Sequence, residues 1–142
     1  MFLYSNILKR AKSRLKRLKT RNTMTLKHFK LKEFDCKCGC KTNKIDGDFL
    51  EMIDRARKYA GVSFKINSGY RCPKHPLSKS NPTSSHIKGI AADIKFTDGR
   101  NLALIIGGLG GAGFERFGIN FNSKFVHVDS DVDKVTPCIW GY

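Results

Sequence analysis

Two short stretches decide the fold and the chemistry of this sequence: "SSHIKGIAADI" at residues 84–94 and "KFVHVD" at residues 124–129. In the first, His86 precedes Asp93 by seven positions, with small residues between them. In the second, His127 lies in a short alternating run, which predicts a strand. Two histidines and one carboxylate from separate elements would form a three-ligand metal site with an open position.

Each of these residues also has a plainer interpretation. A single histidine in a strand is more often a core or surface residue than a metal ligand, and an aspartate after two alanines can belong to a turn or a cap. The metal hypothesis therefore depends on the three residues acting together. Gly89, Ala91 and Ala92 favour it, because they let the backbone turn tightly and pack without filling the site.

Length and composition are typical of one globular domain. A chain of 142 residues is expected to bury roughly two-thirds of the surface that it exposes when unfolded, so it does not need disulfides to fold. Its apolar runs are too short and too rich in glycine for a transmembrane helix. The N-terminus has no uninterrupted apolar segment before a cleavage site, so a standard secretory signal is not expected.

Most of the net charge of +15 lies near the N-terminus. Residues 1–27 contain nine Lys or Arg and no acid, and the remaining 115 residues carry about +6. Apolar residues recur at helical spacing within residues 1–23, which predicts either a basic amphipathic helix or a disordered basic arm. Either form favours a polyanionic partner, such as an anionic membrane or wall polymer. Met24 is an alternative start of translation.

Five cysteines lie at positions 36, 38, 40, 72 and 138. Their odd number argues against a complete disulfide framework. The segment "CKCGC" has C-x-C-x-C spacing, whereas structural zinc sites usually combine two C-x2–4-C hooks. We therefore interpret these cysteines as reduced structural thiols in a reducing cytoplasm, with a second metal site as the alternative.

Residues 24–142 are predicted to form one compact domain. The periodicities predict, in order, a helix at 46–61, a strand at 62–67, a loop at 72–85, a strand at 90–96, a helix at 97–110, and strands at 115–120 and 123–131. Asp46 or Asp48 is expected near the start of the first helix, and Thr97 is the capping candidate of the second. This order predicts an α+β fold with a small antiparallel sheet and flanking helices.

The turn "SGYR" at residues 68–71, followed by the two stretches quoted first, resembles the zinc D-alanyl-D-alanine carboxypeptidase family of peptidoglycan peptidases. The chain looks most like the small branch from bacteriophages and bacteria, which shares its fold with the signalling domain of hedgehog proteins. The segment "HFKLKEFDCKCGC" at residues 28–40 is also similar to that branch. The resemblance covers roughly residues 26–130 and implies a hedgehog or D-Ala-D-Ala peptidase-like fold.

The resemblance implies roles for individual residues. By it, His86, Asp93 and His127 bind one zinc ion. Ser84 matches a serine that orients the loop before the first ligand, and it is also a substrate-binding candidate. Arg71 matches an arginine beside the metal that holds a carboxylate or carbonyl oxygen of the substrate, a catalytic and substrate-binding task that suits the rigid fork of a guanidinium. An ordinary salt bridge is the alternative for Arg71.

The chain departs from many relatives near the last ligand. Those relatives have a catalytic histidine two residues before it or a glutamate three residues before it, but here these positions are Phe125 and Lys124. Asp129 follows His127 by two residues and would share its face of a strand. We therefore predict Asp129 as the catalytic base, with a supporting contact to His127 as its other role.

These features predict a zinc-dependent peptidase that cleaves peptidoglycan stem peptides or cross-links, as a phage endolysin or in wall remodelling. Such a chain would be made in the bacterial host cytoplasm and act at the cell wall. A non-catalytic zinc-binding module is one alternative, favoured by Phe125 and Lys124. A virion structural or nucleic-acid-binding protein that uses the basic arm is the other, but the later part of that arm lacks interleaved aromatic residues.

Overall fold

The computed structural model describes residues 25–142, so the predicted basic helix or arm at residues 1–23 lies outside the described residues. The predicted α+β class is confirmed. The elements, in chain order, are a 3₁₀ turn at Leu31–Phe34, α1 at Gly47–Ala60, β1 at Lys65–Ser68, α2 at Pro76–Ser80, β2 at Ala91–Lys95, α3 at Gly99–Gly111, β3 at Arg116–Asn120, β4 at Phe125–Asp129 and β5 at Cys138–Gly141.

The strands form one five-stranded sheet in the order β1-β2-β4-β3-β5. The pairs β1–β2, β2–β4 and β4–β3 are antiparallel, as predicted, and β3 and β4 form the expected hairpin. At the edge, β5 pairs with β3 in parallel. No sequence pattern predicted β5, because four residues are too few to establish a period of two.

The two faces of the sheet have different chemistry. Val126 and Val128 of β4 are fully buried in the hydrophobic core, together with Ile94 of β2. Since successive side chains of a strand point to opposite faces, Asp93 and His127 lie on the other face. The core therefore packs on one side of β2 and β4, and the polar residues of the site collect on the other side.

Helices α1 and α3 pack on each other in the core. A Cβ atom at Gly108 would lie 2.4 Å from the carbonyl oxygen of Ala56, so this contact between the helices requires glycine. Asp46 caps α1 as expected, because its carboxylate accepts a hydrogen bond from the backbone N–H of Phe49 at 3.0 Å.

The predicted cap of α3 is wrong by one residue. Asp98, not Thr97, is the N-cap, and its Oδ1 accepts a hydrogen bond from the backbone N–H of Asn101 at 2.8 Å. A carboxylate at this position reaches the free N–H of the first turn, whereas the hydroxyl of Thr97 donates to Asp98 instead. Across residues 25–142, no helix has the length and apolar character that crossing a bilayer requires.

Candidate metal site

The sheet places two of the predicted ligands opposite each other. Asp93 of β2 pairs directly with His127 of β4 in the antiparallel register, and such cross-strand neighbours have Cβ atoms only about 4.5–5.5 Å apart. Nδ1 of His127 consequently lies 3.0 Å from Oδ1 of Asp93. Both side chains are almost completely buried. The closeness of these two donor atoms therefore follows from the antiparallel register of β2 and β4.

The third predicted ligand, His86, comes from the loop that precedes β2. The backbone N–H of His86 donates to Oγ of Ser84 at 3.3 Å, and the loop-orienting and substrate-binding roles of Ser84 stay predictions. Gly89 adopts a φ of +72°, and a Cβ there would lie 2.2 Å from the carbonyl oxygen of Lys44. This tight turn brings Nε2 of His86 to 3.2 Å from Oδ1 of Asp93.

Each histidine ring is held through the nitrogen that faces away from Asp93. Nδ1 of His86 lies 2.7 Å from the carbonyl oxygen of Gly69, and since that oxygen can only accept, Nδ1 carries the proton. Nε2 of His127 lies 2.7 Å from Oδ2 of Asp129. Carbonyl and carboxylate partners of this kind fix the tautomer and the orientation of metal-binding histidines. The free nitrogen of each ring therefore turns towards Asp93.

This arrangement fits a zinc ion. With both rings neutral, the lone pairs of His86 Nε2 and His127 Nδ1 face a carboxylate oxygen, and such a contact requires a cation or a proton between the groups. The three donor atoms lie within 4.8 Å of one another, as expected for ligands that each bind zinc at about 2.0–2.2 Å. The donors also match the two-histidine, one-carboxylate set of open zinc sites.

The charges around the cluster keep Asp93 ionised. Burial opposes ionisation, but the contacts of Asp93 with His127 and His86 outweigh it and hold the pKa of the Asp93 carboxyl well below its usual value. Burial also lowers the pKa of His127, yet its contacts with Asp129 and Asp93 raise that pKa above the ordinary value. The cluster therefore favours a bound positive charge, which suits a metal ion or a proton.

Arg71 lies beside the cluster, as predicted. Its Nη2 donates to Oδ2 of Asp93 at 3.0 Å, and its Nε donates to Oγ of Ser68 at 3.0 Å. The salt bridge with Asp93 occupies the carboxylate oxygen that faces away from the histidines. It therefore favours Asp93 as a ligand through Oδ1 alone. The substrate-binding role of Arg71 stays a prediction.

Asp129 lies behind His127 and is buried. Its Oδ2 accepts from His127, and its Oδ1 accepts from Nε of Arg116 at 2.7 Å and from the backbone N–H of Asp131 at 3.1 Å. Burial raises its pKa, but these hydrogen bonds outweigh it and lower the pKa of the Asp129 carboxyl. These contacts support the orienting role, and the role of Asp129 as the base stays a prediction.

The last strand supplies a wall that sequence patterns did not predict. The ring of Trp140 packs against His127, with ring centroids 5.6 Å apart, and it lies over Gly118. A Cβ at Gly118 would come within 2.5 Å of that ring, so a glycine inside β3 was the available sequence signal for this close approach. The cluster opens into a cleft of about 430 Å³, whose lining includes Arg71 and Tyr142.

Comparison with known proteins adds one finding. A family model described as Peptidase M15 matches residues 27–129. This range includes His86, Asp93 and His127, and it ends before β5. No curated protein and no solved structure matches the chain at a significant level.

Proposed function

We propose, because the chain belongs to the M15 peptidase family, that it is a zinc metallopeptidase which cleaves the stem peptides or cross-links of peptidoglycan. Peptidases of this family are in general zinc-dependent. The observation that carries the proposal is the convergence of His86, Asp93 and His127 at a cleft, with one donor atom of each within 4.8 Å of the others. Three protein ligands leave the position that hydrolytic zinc sites keep open.

In the proposed mechanism, the three residues hold the metal and the residues around them orient the substrate. When bound, zinc lowers the pKa of its water ligand and polarises the carbonyl group under attack. Arg71 would bind a carboxylate or carbonyl oxygen of the peptide. Its Nε and Nη2 are engaged by Ser68 and Asp93, which fixes the guanidinium plane and leaves Nη1 for the substrate.

The shape and charge of the cleft support a short peptide as the substrate. A cleft of about 430 Å³ lies within the range of small-molecule and peptide pockets, roughly 300–1,000 Å³. Trp140 and Tyr142 offer aromatic surface along it, and Arg71 and Lys134 contribute positive charge. Carboxylate-bearing peptides such as peptidoglycan stems would be attracted by this charge.

The proposed place of action is the bacterial cell wall, in phage lysis as an endolysin or in wall remodelling. The basic segment at residues 1–23 would bring the chain to anionic membrane or wall polymer.

A non-catalytic zinc-binding module is the second candidate, and one observation favours it. Phe125 and Lys124 occupy the positions where many relatives have a catalytic histidine or glutamate. Within the described residues, the carboxylates that line the cleft are those of Asp93 and Asp129, and both are already engaged by neighbouring side chains. Cleavage of peptidoglycan by the chain would distinguish the enzyme from this non-catalytic candidate.

The test combines metal analysis with digestion of isolated peptidoglycan, and it identifies the released fragments by mass. The wild-type chain is expected to bind zinc and to release defined peptides. Losing a contact that only supports a ligand typically costs roughly 10- to 100-fold. His127→Ala removes a donor atom itself, so activity should fall by more than that. His28→Ala is the matched control, because His28 lies outside the cluster.

The fragment masses decide between carboxypeptidase and endopeptidase cleavage. Release of fragments by the wild type and by His28→Ala, together with loss of zinc and activity in His127→Ala, would support the proposal. Zinc bound by the wild type without any released fragment would contradict the enzymatic role and leave the binding module.

A further inference from the structure

A second group of metal-binding side chains lies outside the cleft. The Sγ atoms of four cysteines, called the cysteine cluster below, lie within 4.8 Å of one another: Cys36, Cys38, Cys40 and Cys72. Sγ of Cys38 is 3.5 Å from Sγ of Cys36 and also 3.5 Å from Sγ of Cys72. The fifth cysteine, Cys138, belongs to β5 and not to this group.

The backbone is shaped to bring these sulfur atoms together. In an extended strand, alternate side chains would lie roughly 6.6 Å apart along one face. Here residues 37–40 form turns, Gly39 has a φ of +99° and Lys41 has a φ of +55°. Lys41 is notable because non-glycine residues adopt positive φ infrequently. The two positive φ values within three positions draw the alternating cysteines inward.

Backbone N–H groups point at two of the sulfur atoms. The N–H of Cys72 donates to Sγ of Cys36 at 3.3 Å, and the N–H of Thr42 donates to Sγ of Cys40 at 3.4 Å. Hydrogen bonds to the charged form of a group favour that form, here the thiolate. Lys37 and Lys41 adjoin the cysteines in the sequence and supply positive charge. Both features suit a site that concentrates negative charge.

We propose that the cysteine cluster binds a second, structural zinc ion, in addition to the ion of the cleft. Four thiolates around zinc at about 2.3 Å would have sulfur atoms roughly 3.8 Å apart, close to the 3.5 Å contacts already present. Binding releases the protons of the cysteines that are still thiols, and these protons pass to solvent. Four protein ligands close the site, so it supplies no position for a substrate.

The zinc ion would connect two segments that meet beside the cleft. Cys72 directly follows Arg71, and the other three cysteines belong to the segment at residues 36–40. Just before these segments, the backbone N–H of Tyr70 donates to the carbonyl oxygen of Phe34 at 2.9 Å. The structural ion would fix the backbone that carries Arg71. This role does not depend on peptidase activity.

The experiment measures zinc per chain and the absorption spectrum after exchange of zinc for cobalt, on the full chain purified under reducing conditions. The wild type is expected to bind two ions and to show the intense sulfur-to-cobalt band that only thiolate ligands give. Cys38→Ser with Cys40→Ser should halve the bound metal and abolish that band. His127→Ala should also halve the metal but retain the band. Cys138→Ser is the matched control and should change neither.

A count of reactive thiols tests the wild type without any substitution. Metal in the cysteine cluster protects four thiols until a chelator and denaturant are added, after which all five react. One ion per chain with no sulfur-to-cobalt band would overturn the proposal, and so would disulfides within the cluster. Retention of the band in His127→Ala without wall cleavage by the wild type would contradict the proposed function and leave the structural ion supported.

Discussion

The cluster of His86, Asp93 and His127 and the cysteine cluster differ in what holds their donor atoms. Asp93 and His127 are paired across two central strands, and each histidine is tethered through its other nitrogen. The cysteine cluster is built from turns and a loop, and Cys38 and Cys40 are exposed. Three donors at a cleft leave a position for chemistry, whereas four donors close a site. The comparison therefore separates the proposed catalytic site from the proposed structural one.

Arg71 links the two clusters, and its removal should have a larger effect than substitutions at Asp129 or Asp131. Arg71→Ala is expected to lower kcat/KM for peptidoglycan peptides about 100-fold, because a charged hydrogen bond to the substrate is worth roughly 1.5–3 kcal/mol. Arg71→Lys should recover only part of the loss, since an ammonium lacks the planar fork. Steady-state kinetics with zinc analysis measures this. Loss of zinc from the cleft in Arg71→Ala would show that Arg71 acts through Asp93 instead.

A substitution at Asp129 tests whether zinc binding in the cleft depends on the carboxylate that orients His127. The cysteine cluster has no such carboxylate contact among the described residues. Asp129→Asn replaces the carboxylate that holds His127 Nε2 at 2.7 Å, so the affinity of the cleft for zinc should fall about 10- to 100-fold. Competition with a chelator measures this, and the sulfur-to-cobalt band serves as the internal control because it should not change. A fall in kcat with unchanged zinc affinity would favour Asp129 as the base over the orienting role.

Asp131 should have the smallest effect, on the pH dependence of stability. It is buried, and it accepts hydrogen bonds from Ser85 at 2.7 Å and Lys88 at 2.9 Å. Burial raises its pKa, but these partners outweigh it and lower the pKa of the Asp131 carboxyl. A lowered pKa stabilises the fold above the unfolded value of about 3.9 and loses that contribution as pH falls through the folded value.

The corresponding substitution is Asp131→Asn. It should lower the free energy of unfolding at neutral pH by about 1–3 kcal/mol, and the deficit relative to wild type should shrink as the pH falls below about 4. Denaturant unfolding of both proteins at equal zinc measures this difference. Asp133→Asn is the matched control, because Asp133 also pairs with Lys88 but its side chain is 78% exposed. An equal effect of both substitutions would contradict the argument from burial.

The cleft was more predictable from the sequence than the cysteine cluster. His127 and Asp93 lie in short strands whose local patterns are readable, and the family resemblance indicated that they act together with His86. Cys72 is separated from the "CKCGC" segment by α1 and β1, and only the tertiary fold brings these parts together. Trp140 was unpredictable for a similar reason, since β5 joins the sheet through a parallel pairing with a distant strand. Local sequence patterns predict individual helices and strands, whereas contacts between distant segments assemble the cleft and the cysteine cluster.

The direct pairing of Asp93 with His127 has a consequence for folding. A strand that slips by one residue turns every side chain to the opposite face. Such a slip between β2 and β4 would point one of these polar groups into the core and leave an apolar side chain facing the cleft. Only the native alignment presents both donor atoms to a metal ion. Zinc in the cleft would therefore stabilise the native strand register over a slipped one, because only the native register binds the ion.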